Sequence, residues 1–262
     1  MGFSIVEGGV GVPSAKWFPV SCVTGTGATV YEGQLVKLVD GDGIEPLTAS
    51  GASPAVILPI GVVVAVNNRT PTFSTVCNAN YATAQVTQAT ELARDYFGAE
   101  GMFSKGEPST MAKVALIDRS TVLEGTIFKT SYGTAPTVLT LTTGSAAGIT
   151  GFVHNTADST LTTLNNMYYC RSGLNKGLYR SSYAGSATTP TFYRPWPYAS
   201  SIGDTFVATP FGLGRQMMDF NSIGTFIDNA AAYGSSYYYK VDVLSINLAT
   251  AGQEKAQFRF VF

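Results

Sequence analysis

Charged residues are scarce in this sequence. Lysine and arginine number 16 and aspartate and glutamate 17 among 262 residues, so that only 13% of the chain is charged, against about 25% in an average soluble domain. A surface with so few charges is better suited to burial against other subunits than to a free monomer. Charges of both signs are spread without blocks, which argues against nucleic-acid binding, because phosphate neutralisation needs clustered basic side chains.

Histidine is almost absent, and the common catalytic motifs are missing. The one histidine is His154, although proton transfer at neutral pH usually recruits histidine and a serine or cysteine nucleophile usually needs one beside it. No nucleophile elbow, phosphate-binding loop or zinc-protease motif occurs. We therefore predict no enzymatic activity, no catalytic residue, no cofactor and no bound metal, and we expect His154 at a strand end or on the surface.

Cysteines are few, and long apolar runs are absent. Cys22, Cys77 and Cys170 are odd in number and far apart, which favours buried reduced thiols over a disulfide framework or a zinc site. The longest apolar stretch, 54–66, is too short to cross a bilayer, and the N-terminus lacks the basic and apolar segments of a signal peptide. We therefore expect no membrane partner.

The sequence does contain a series of short strand-like segments. Runs rich in Val, Ile, Thr, Phe and Tyr alternate with clusters of Gly, Pro, Asn and Asp, which predicts an all-β fold. Residues 35–39 lead into an Asp-Gly-Asp-Gly hairpin turn at 40–43, 137–142 alternate as a half-buried strand, and 257–262 place three phenylalanines on one face. Residues 87–97 instead have helical spacing, and there we predict one short helix.

A weak internal repeat is visible at three places. Each copy has an opening glycine followed by an alternating run and a closing glycine next to an apolar residue: Gly33 with Gly61, Gly125 with Gly151 and, more loosely, Gly203 with Gly224. The opening glycine permits a tight start with positive φ, and the closing glycine starts a second strand that lies beside the first. The alternative is a chance recurrence in a glycine-rich β protein.

The repeat predicts the organisation of the chain. We expect two or three related, small barrel-like or sandwich-like β units built on glycine-started hairpins, each too small to bury its own apolar face alone. The predicted segments are an N-terminal arm at 1–31, a first β unit with the short helix at 32–120, a second β unit at 121–195, and a third β unit with the C-terminal strand at 196–262.

The first copy carries a resemblance to a known family. Residues 32–47 read EGQLVKLVDGDGIEPL and residues 59–63 read PIGVV, and this pattern resembles small capsid decoration, or cement, proteins of tailed bacteriophages. The resemblance implies a structural virion protein that decorates and stabilises the outer capsid surface, is made in the host cytoplasm, and forms a homotrimer bound to the major capsid protein lattice. The chain departs from the family in its greater length and its extra copies.

An aromatic segment with two prolines, 191–198, is the first candidate interface. The prolines keep it extended and remove two backbone donors, so it is not a central strand. Tryptophan, tyrosine and arginine commonly anchor interfaces, and we predict a subunit contact formed by Tyr193, Arg194, Trp196 and Tyr198. The alternatives are the edge of a core and, for Trp196 and Tyr198, a sugar-stacking platform.

The N-terminal segment 2–21 is the second candidate interface. The stretch 1–29 that contains it is too rich in glycine for a helix and too apolar for a simple linker, and the adjacent Trp17 and Phe18 are costly to leave in water. We predict that this arm docks on the capsid lattice through Trp17 and Phe18. Alternatively, the two rings close the end of the first β unit.

Two other functions stay open at this point. A phage head-fibre or tail-associated module would bind host glycan through the aromatic segment. A small major capsid protein would polymerise alone, whereas a decoration protein needs a preformed lattice.

Overall fold

The computed structural model describes residues 2–7, 14–19, 29–39, 43–47, 59–67, 77–80, 85–88, 111–129, 134–157, 161, 166–220, 226–229 and 239–261. These residues form strands, turns and extended loops with no α-helix among them, which confirms the all-β class. The short helix predicted at 87–97 lies outside the described residues except for Thr87 and Gln88, and these two end a strand.

The chain divides into two compact units. Unit 1 comprises Met1–Ala49, Ala55–Leu123 and Ser222–Thr225, and unit 2 comprises Ser50–Pro54, Glu124–Asn221 and Phe226–Phe262. The segments 121–195 and 196–262, predicted as a second and a third β unit, thus both contribute to unit 2, because residues on either side of that boundary, such as Phe192 and Trp196, share one core cluster.

Nine strands precede the division between the units. They are β1 (Ser4–Glu7), β2 (Ala15–Pro19), β3 (Thr29–Tyr31), β4 (Leu35–Val39), β5 (Gly43–Pro46), β6 (Gly61–Asn67), β7 (Cys77–Asn80), β8 (Gln85–Gln88) and β9 (Met111–Leu116). They include a five-stranded sheet in the order β2-β9-β6-β4-β5 and a three-stranded sheet in the order β3-β8-β7. The predicted arm 1–31 therefore supplies strands, two of which pair within unit 1.

Alternation along these strands builds the core of unit 1. The predicted hairpin is confirmed, because β4 and β5 pair antiparallel from Val36 opposite Pro46 to Val39 opposite Gly43. Side chains on one face of the sheet, together with one from β3, form a buried cluster of Val30, Val36, Ile44, Val63, Ala112 and Val114.

The first repeat copy has the predicted glycine geometry. Gly33 has a φ of 80°, and its amide donates to the carbonyl of Val63, which holds the start of β4 beside β6. At Gly61 a Cβ atom would lie 2.2 Å from the carbonyl oxygen of Ala115, so only glycine permits this approach of β6 to β9. Val36 of β4 lies opposite Gly61 of β6, as predicted.

The other two copies do not repeat this pairing. The strand that contains Gly125 and the strand that follows Gly151 lie in different sheets, so the prediction that they lie side by side is wrong. Gly203 does have a positive φ of 92°, whereas Gly224 lies outside the described residues. Gly125 lies inside β10 and not at its start, so the predicted tight strand start is wrong for this copy. The partner of a strand is set by packing against the rest of the chain.

The turn after β9 is closed by one carboxylate. Asp118 accepts hydrogen bonds from the amides and the hydroxyls of Ser120 and Thr121 through one oxygen, at 2.7–2.9 Å. These bonds, the one from the Ser120 hydroxyl most of all, lower the pKa of Asp118 from 3.8 to about 2. The arrangement satisfies backbone donors of a tight turn, in which the Thr121 amide also donates to the Asp118 carbonyl at 3.2 Å.

We predict that Asp118 titrates far below an ordinary aspartate. Because the pKa is lower in the folded chain than in the unfolded chain, where it is about 3.9, the turn stabilises the fold fully above that pH and loses this effect as the pH falls through about 2. The carboxyl carbon chemical shift of Asp118, followed against pH, gives the midpoint. Ser120→Ala should move the midpoint upward, and a wild-type midpoint near 3.8 would contradict the assignment.

Unit 2 contains two sheets. Its strands are β10 (Val122–Phe128, which begins just before the division), β11 (Val138–Thr143), β12 (Val153–His154), β13 (Met167–Cys170), β14 (Tyr179–Gly185), β15 (Pro190–Phe192), β16 (Thr205–Thr209), β17 (Gly214–Met218), β18 (Ile227–Asp228), β19 (Tyr239–Asn247) and β20 (Lys255–Phe260). One sheet has the order β12-β11-β16-β13-β14-β15, and the other runs β10-β20-β19-β17 with β18 paired to β10.

Both sheets of unit 2 bury aromatic rings. In the six-stranded sheet Phe152 lies 5.0 Å from Phe192 and 4.6 Å from Phe206, measured between ring centroids. In the other sheet Phe258 and Phe260, two of the three phenylalanines predicted on one face, are both buried, whereas Phe262 lies outside the described residues. The predicted alternation of 137–142 is also confirmed, with the two leucines of β11 buried.

The lone histidine and one cysteine lie in or beside this core. His154 ends β12, as a strand-end residue should, but its side chain is buried and not on the surface. Cys170 is a buried free thiol, as predicted, and burial raises its pKa to about 12. Cys22 and the side chain of Cys77, for which we made the same prediction, lie outside the described part of the chain.

A buried ion pair joins the two sheets of unit 2. Arg171, just after β13, lies 2.5 Å from the carboxylate of Glu254, just before β20, and the Glu254 side chain is fully buried. The same guanidinium donates two hydrogen bonds to the carbonyl of Leu248. The Leu248 amide in turn donates to the hydroxyl of Tyr179 on β14.

We predict that Glu254→Ala destabilises the protein strongly. The substitution leaves the Arg171 guanidinium buried without a countercharge, which costs about 3–5 kcal/mol. Lys255→Ala is the matched control, because it breaks an exposed pair with Glu124 worth about 1 kcal/mol or less. Urea unfolding measures both, and equal losses for the two variants would show that the buried pair does not hold the sheets together.

Candidate functional site

Three connections leave the six-stranded sheet at the same end. They are residues 144–152 between β11 and β12, 171–178 between β13 and β14, and 193–204 between β15 and β16. Their common position follows from antiparallel pairing, because the end of β11 and the end of β13 both lie beside the start of β16. We call this region the loop end.

Hydrogen bonds lock the three loops together. The buried side chain of Asn175 donates to the carbonyl of Tyr198 and to the hydroxyl of Ser200, both at 2.9 Å, and accepts from the Tyr198 amide at 3.2 Å. Ser145 and Ser200 exchange two backbone bonds. The loops are therefore held in one arrangement by bonds between groups far apart in sequence.

Large apolar side chains remain exposed on these locked loops. Leu174 and Ile202 are each 72% exposed, Tyr198 is 55% exposed, and Ile149 is also open to solvent. Each side chain comes from a loop that is bonded to the others. We call these four residues the apolar loop surface; its composition fits contact with another macromolecule better than contact with water.

A polar groove lies on the six-stranded sheet near the start of 193–204. It has a volume of about 330 Å³ and is lined by Met167, Tyr179, Arg180, Ser181, Tyr193 and Arg194. We call it the Arg–Tyr groove. The Arg180 guanidinium donates to the carbonyls of Pro195 and Tyr179 at 3.0 and 2.8 Å. The Tyr193 ring packs against the ring of Tyr183 with centroids 5.2 Å apart.

The residues predicted in the aromatic segment separate into two groups. Tyr193 and Arg194 come together in the Arg–Tyr groove, and Tyr198 lies on the apolar loop surface. Trp196, predicted at an interface, is instead a fully buried core residue. The physical reason is that the extended backbone sends 196 inward, where its ring lies 5.2 Å from Phe206. A sugar-stacking platform on Trp196 is therefore excluded in this conformation.

The residues predicted in the N-terminal arm also separate. Trp17 and Phe18 are neighbours on β2, which is an edge strand of the five-stranded sheet, and alternation sends their side chains to opposite faces. Phe18 packs against the core cluster of unit 1, whereas Trp17 is 47% exposed. The alternative that both rings close the first unit thus holds for Phe18 alone.

Sequence reasoning missed the residues that define the loop end. Leu174 and Asn175 lie between two glycines in the run Ser-Gly-Leu-Asn-Lys-Gly, and Ile202 precedes Gly203 in Ser-Ile-Gly-Asp. A single large apolar residue at the tip of a polar turn is the signal that could have found Leu174 and Ile202. The role of Asn175 depends on contacts with 198 and 200, which the sequence does not show.

We predict that Asn175→Ala loosens the loop end. The substitution leaves the amide and the carbonyl of Tyr198 without their side-chain partner, and each orphaned buried group costs about 1–3 kcal/mol. We expect a loss of about 2 kcal/mol and faster amide hydrogen exchange in 196–200. Asn247→Ala, which removes one exposed turn bond, is the control. Unchanged exchange in Asn175→Ala would contradict the proposed lock.

Other kinds of site have no support among the described residues. They contain no group of three or more His, Cys, Asp or Glu side chains placed to hold a metal ion. Over the same ranges, no helix has the length and apolarity required to span a membrane. No protein-family model, curated protein or solved structure matches this chain.

Proposed function

We propose that this chain is a structural virion protein that decorates and stabilises the outer surface of a bacteriophage capsid. The observation that carries the proposal is the apolar loop surface, in which Leu174 and Ile202 are exposed on hydrogen-bonded loops. Covering one such side chain fully contributes about 1.5–3 kcal/mol. A partner protein that covers the surface would recover that free energy.

The locked loops favour binding to an assembled partner. Ordering flexible side chains and loops on binding costs about 0.5–1.5 kcal/mol for each mobile side chain, and part of this cost is already met when the loops are ordered in the free chain. Asn175 and the Ser145–Ser200 backbone pair supply that order. Such a preorganised apolar surface suits a contact repeated many times over a lattice.

The exposed face of the β17-β19-β20 sheet carries paired charges, unlike the apolar loop surface. Asp242 on β19 lies between Arg215 on β17 and Arg259 on β20, 3.3 Å from each, and Lys255 pairs with Glu124. Charges paired within one face remain solvated at little cost. We therefore assign this face to the outward, water-exposed side that a decoration protein requires.

The proposed mechanism is stabilisation by mass action. The resemblance of 32–47 and 59–63, which fall largely on β4, β5 and β6, to phage decoration proteins points to the major capsid protein lattice as partner and to a homotrimer as the bound form. Anything that binds only the expanded lattice stabilises that state, and many copies convert modest contacts into mechanical reinforcement. Neither nucleic acid nor a membrane takes part in this proposal.

We predict that the double variant Leu174→Ser/Ile202→Ser loses capsid binding. Expanded capsids lacking this protein are mixed with the recombinant chain and sedimented through a density gradient. Loss of two apolar contacts should weaken retention at least about tenfold. Leu213→Ser, at a residue that is 54% exposed between β16 and β17, is the matched control and should bind as wild type does.

The same gradient separates the alternatives. A wild-type chain that polymerises without capsids would indicate a small major capsid protein, and a chain that stays at the top of the gradient would contradict the decoration function. Trp17→Ala tests the predicted N-terminal docking residue, because its exposed ring on β2 can be removed without disturbing the core that Phe18 joins. Full retention of Trp17→Ala would remove Trp17 from the docking surface.

A further inference from the structure

We propose that the Arg–Tyr groove binds a sugar residue that carries a carboxylate, of the uronic or sialic acid class. In this proposal Arg180 and Arg194 pair with the carboxylate, and the Tyr183–Tyr193 ring pair contacts the apolar face of the sugar ring. The proposal does not depend on capsid decoration, because the groove and the apolar loop surface consist of different residues.

Arg180 is positioned before any ligand arrives. Its Nε donates to the Pro195 carbonyl, its Nη1 donates to the Tyr179 carbonyl, and its guanidinium carbon lies 5.4 Å from the centre of the Trp196 ring. These contacts leave Nη2 without a partner among the described residues. A guanidinium whose plane is fixed and whose outer donors are open is preorganised for a carboxylate.

The groove is rich in donors and has no acidic side chain. Arg194 is exposed, and no carboxylate from the described part of the chain pairs with Arg194 or Arg180. Burial raises the pKa of Tyr179, whose hydroxyl accepts a hydrogen bond from the Leu248 amide. By contrast, Arg171, Arg215 and Arg259 each have a carboxylate partner within the chain. The two arginines that line the groove thus have donors open to a ligand, and an anion is the ligand that such donors favour.

The two tyrosines favour a sugar acid over an acidic peptide side chain. Tyr183 and Tyr193 are 42% and 58% exposed, although their rings are already packed together at 5.2 Å. Tyr193 lines the groove together with both arginines, and Tyr183 extends its aromatic surface, which a pyranose ring can cover with its C–H face. A glutamate or aspartate side chain has a carboxylate but no face of that size. The groove volume of about 330 Å³ is at the lower end of the range for small ligands.

The experiment compares ligands that differ in one group. Isothermal titration of the full chain uses methyl β-D-glucuronide and, as its neutral counterpart, methyl β-D-glucoside; acetate and N-acetylglutamate amide supply a carboxylate without the ring. We expect the glucuronide to bind at least about tenfold more tightly than the other three, the equivalent of one charge-assisted hydrogen bond or one ring contact.

Variants then assign the binding to the groove. Arg194→Gln removes an exposed guanidinium that makes no bond within the described chain and should weaken glucuronide binding about tenfold. Arg215→Gln makes the same charge change on the β17-β19-β20 sheet and should leave the affinity for the glucuronide unchanged. Tyr183→Ala should weaken the glucuronide and leave the binding of acetate unaffected.

Four results would overturn the proposal. They are the absence of glucuronide binding, equal binding of the glucoside, equal binding of N-acetylglutamate amide, which would point to an acidic peptide, and equal losses in Arg194→Gln and Arg215→Gln. Circular dichroism of each variant confirms that the fold is intact. Because both substituted arginines are exposed, we expect no change in the spectrum.

Discussion

The ring of Trp196 is buried among Phe152, Phe192 and Phe206, and both candidate surfaces are attached to the backbone around it. Its amide donates to the carbonyl of Ile149, and its carbonyl accepts from Gly148, which fixes the first loop of the loop end. On the other side of the same ring, Arg180 packs over the indole and reaches the Pro195 carbonyl. One buried residue, through its ring and its backbone, thus positions an apolar surface and a polar groove.

The free energy of burying the Trp196 ring can be compared with the entropy cost of ordering the loop 193–204. An aromatic side chain of this size buries about 150–250 Å², which at about 25 cal/mol per Å² contributes roughly 4–6 kcal/mol. The indole N–H has no hydrogen-bond partner among the described groups, a cost of about 1–3 kcal/mol. The remainder offsets the backbone entropy of about two residues, at roughly 1–2 kcal/mol each. The hydrogen bonds of Asn175 and Arg180 must therefore stabilise the rest of 193–204.

Sequence patterns predicted the regular parts of this structure and failed where the chain is irregular. The β4–β5 hairpin and the alternation of β11 and β20 follow from local period and turn chemistry, which act between neighbours in sequence. Composition predicted an interface formed by Tyr193, Arg194, Trp196 and Tyr198, but it did not show which of these side chains is buried in the core. Trp196 is buried because it packs against residues such as Phe152, more than 40 positions away in the sequence. A segment without a regular hydrophobic period gives no indication of such a contact.

Substitutions at the exposed residues of the two surfaces and substitutions at Trp196, which supports both surfaces, have different consequences. Leu174 and Ile202 are exposed at the tips of turns, so replacing them alters what the loop end contacts without altering how it is held. Arg194 is likewise exposed at the rim of the groove. Replacing Trp196 would leave a large cavity in the core beneath the backbone that bonds to Gly148 and Ile149, and it would remove the ring over which Arg180 packs. A loss of sugar binding or of capsid binding in a Trp196 variant would therefore report the collapse of the shared support, and only substitutions at the exposed tips distinguish one surface from the other.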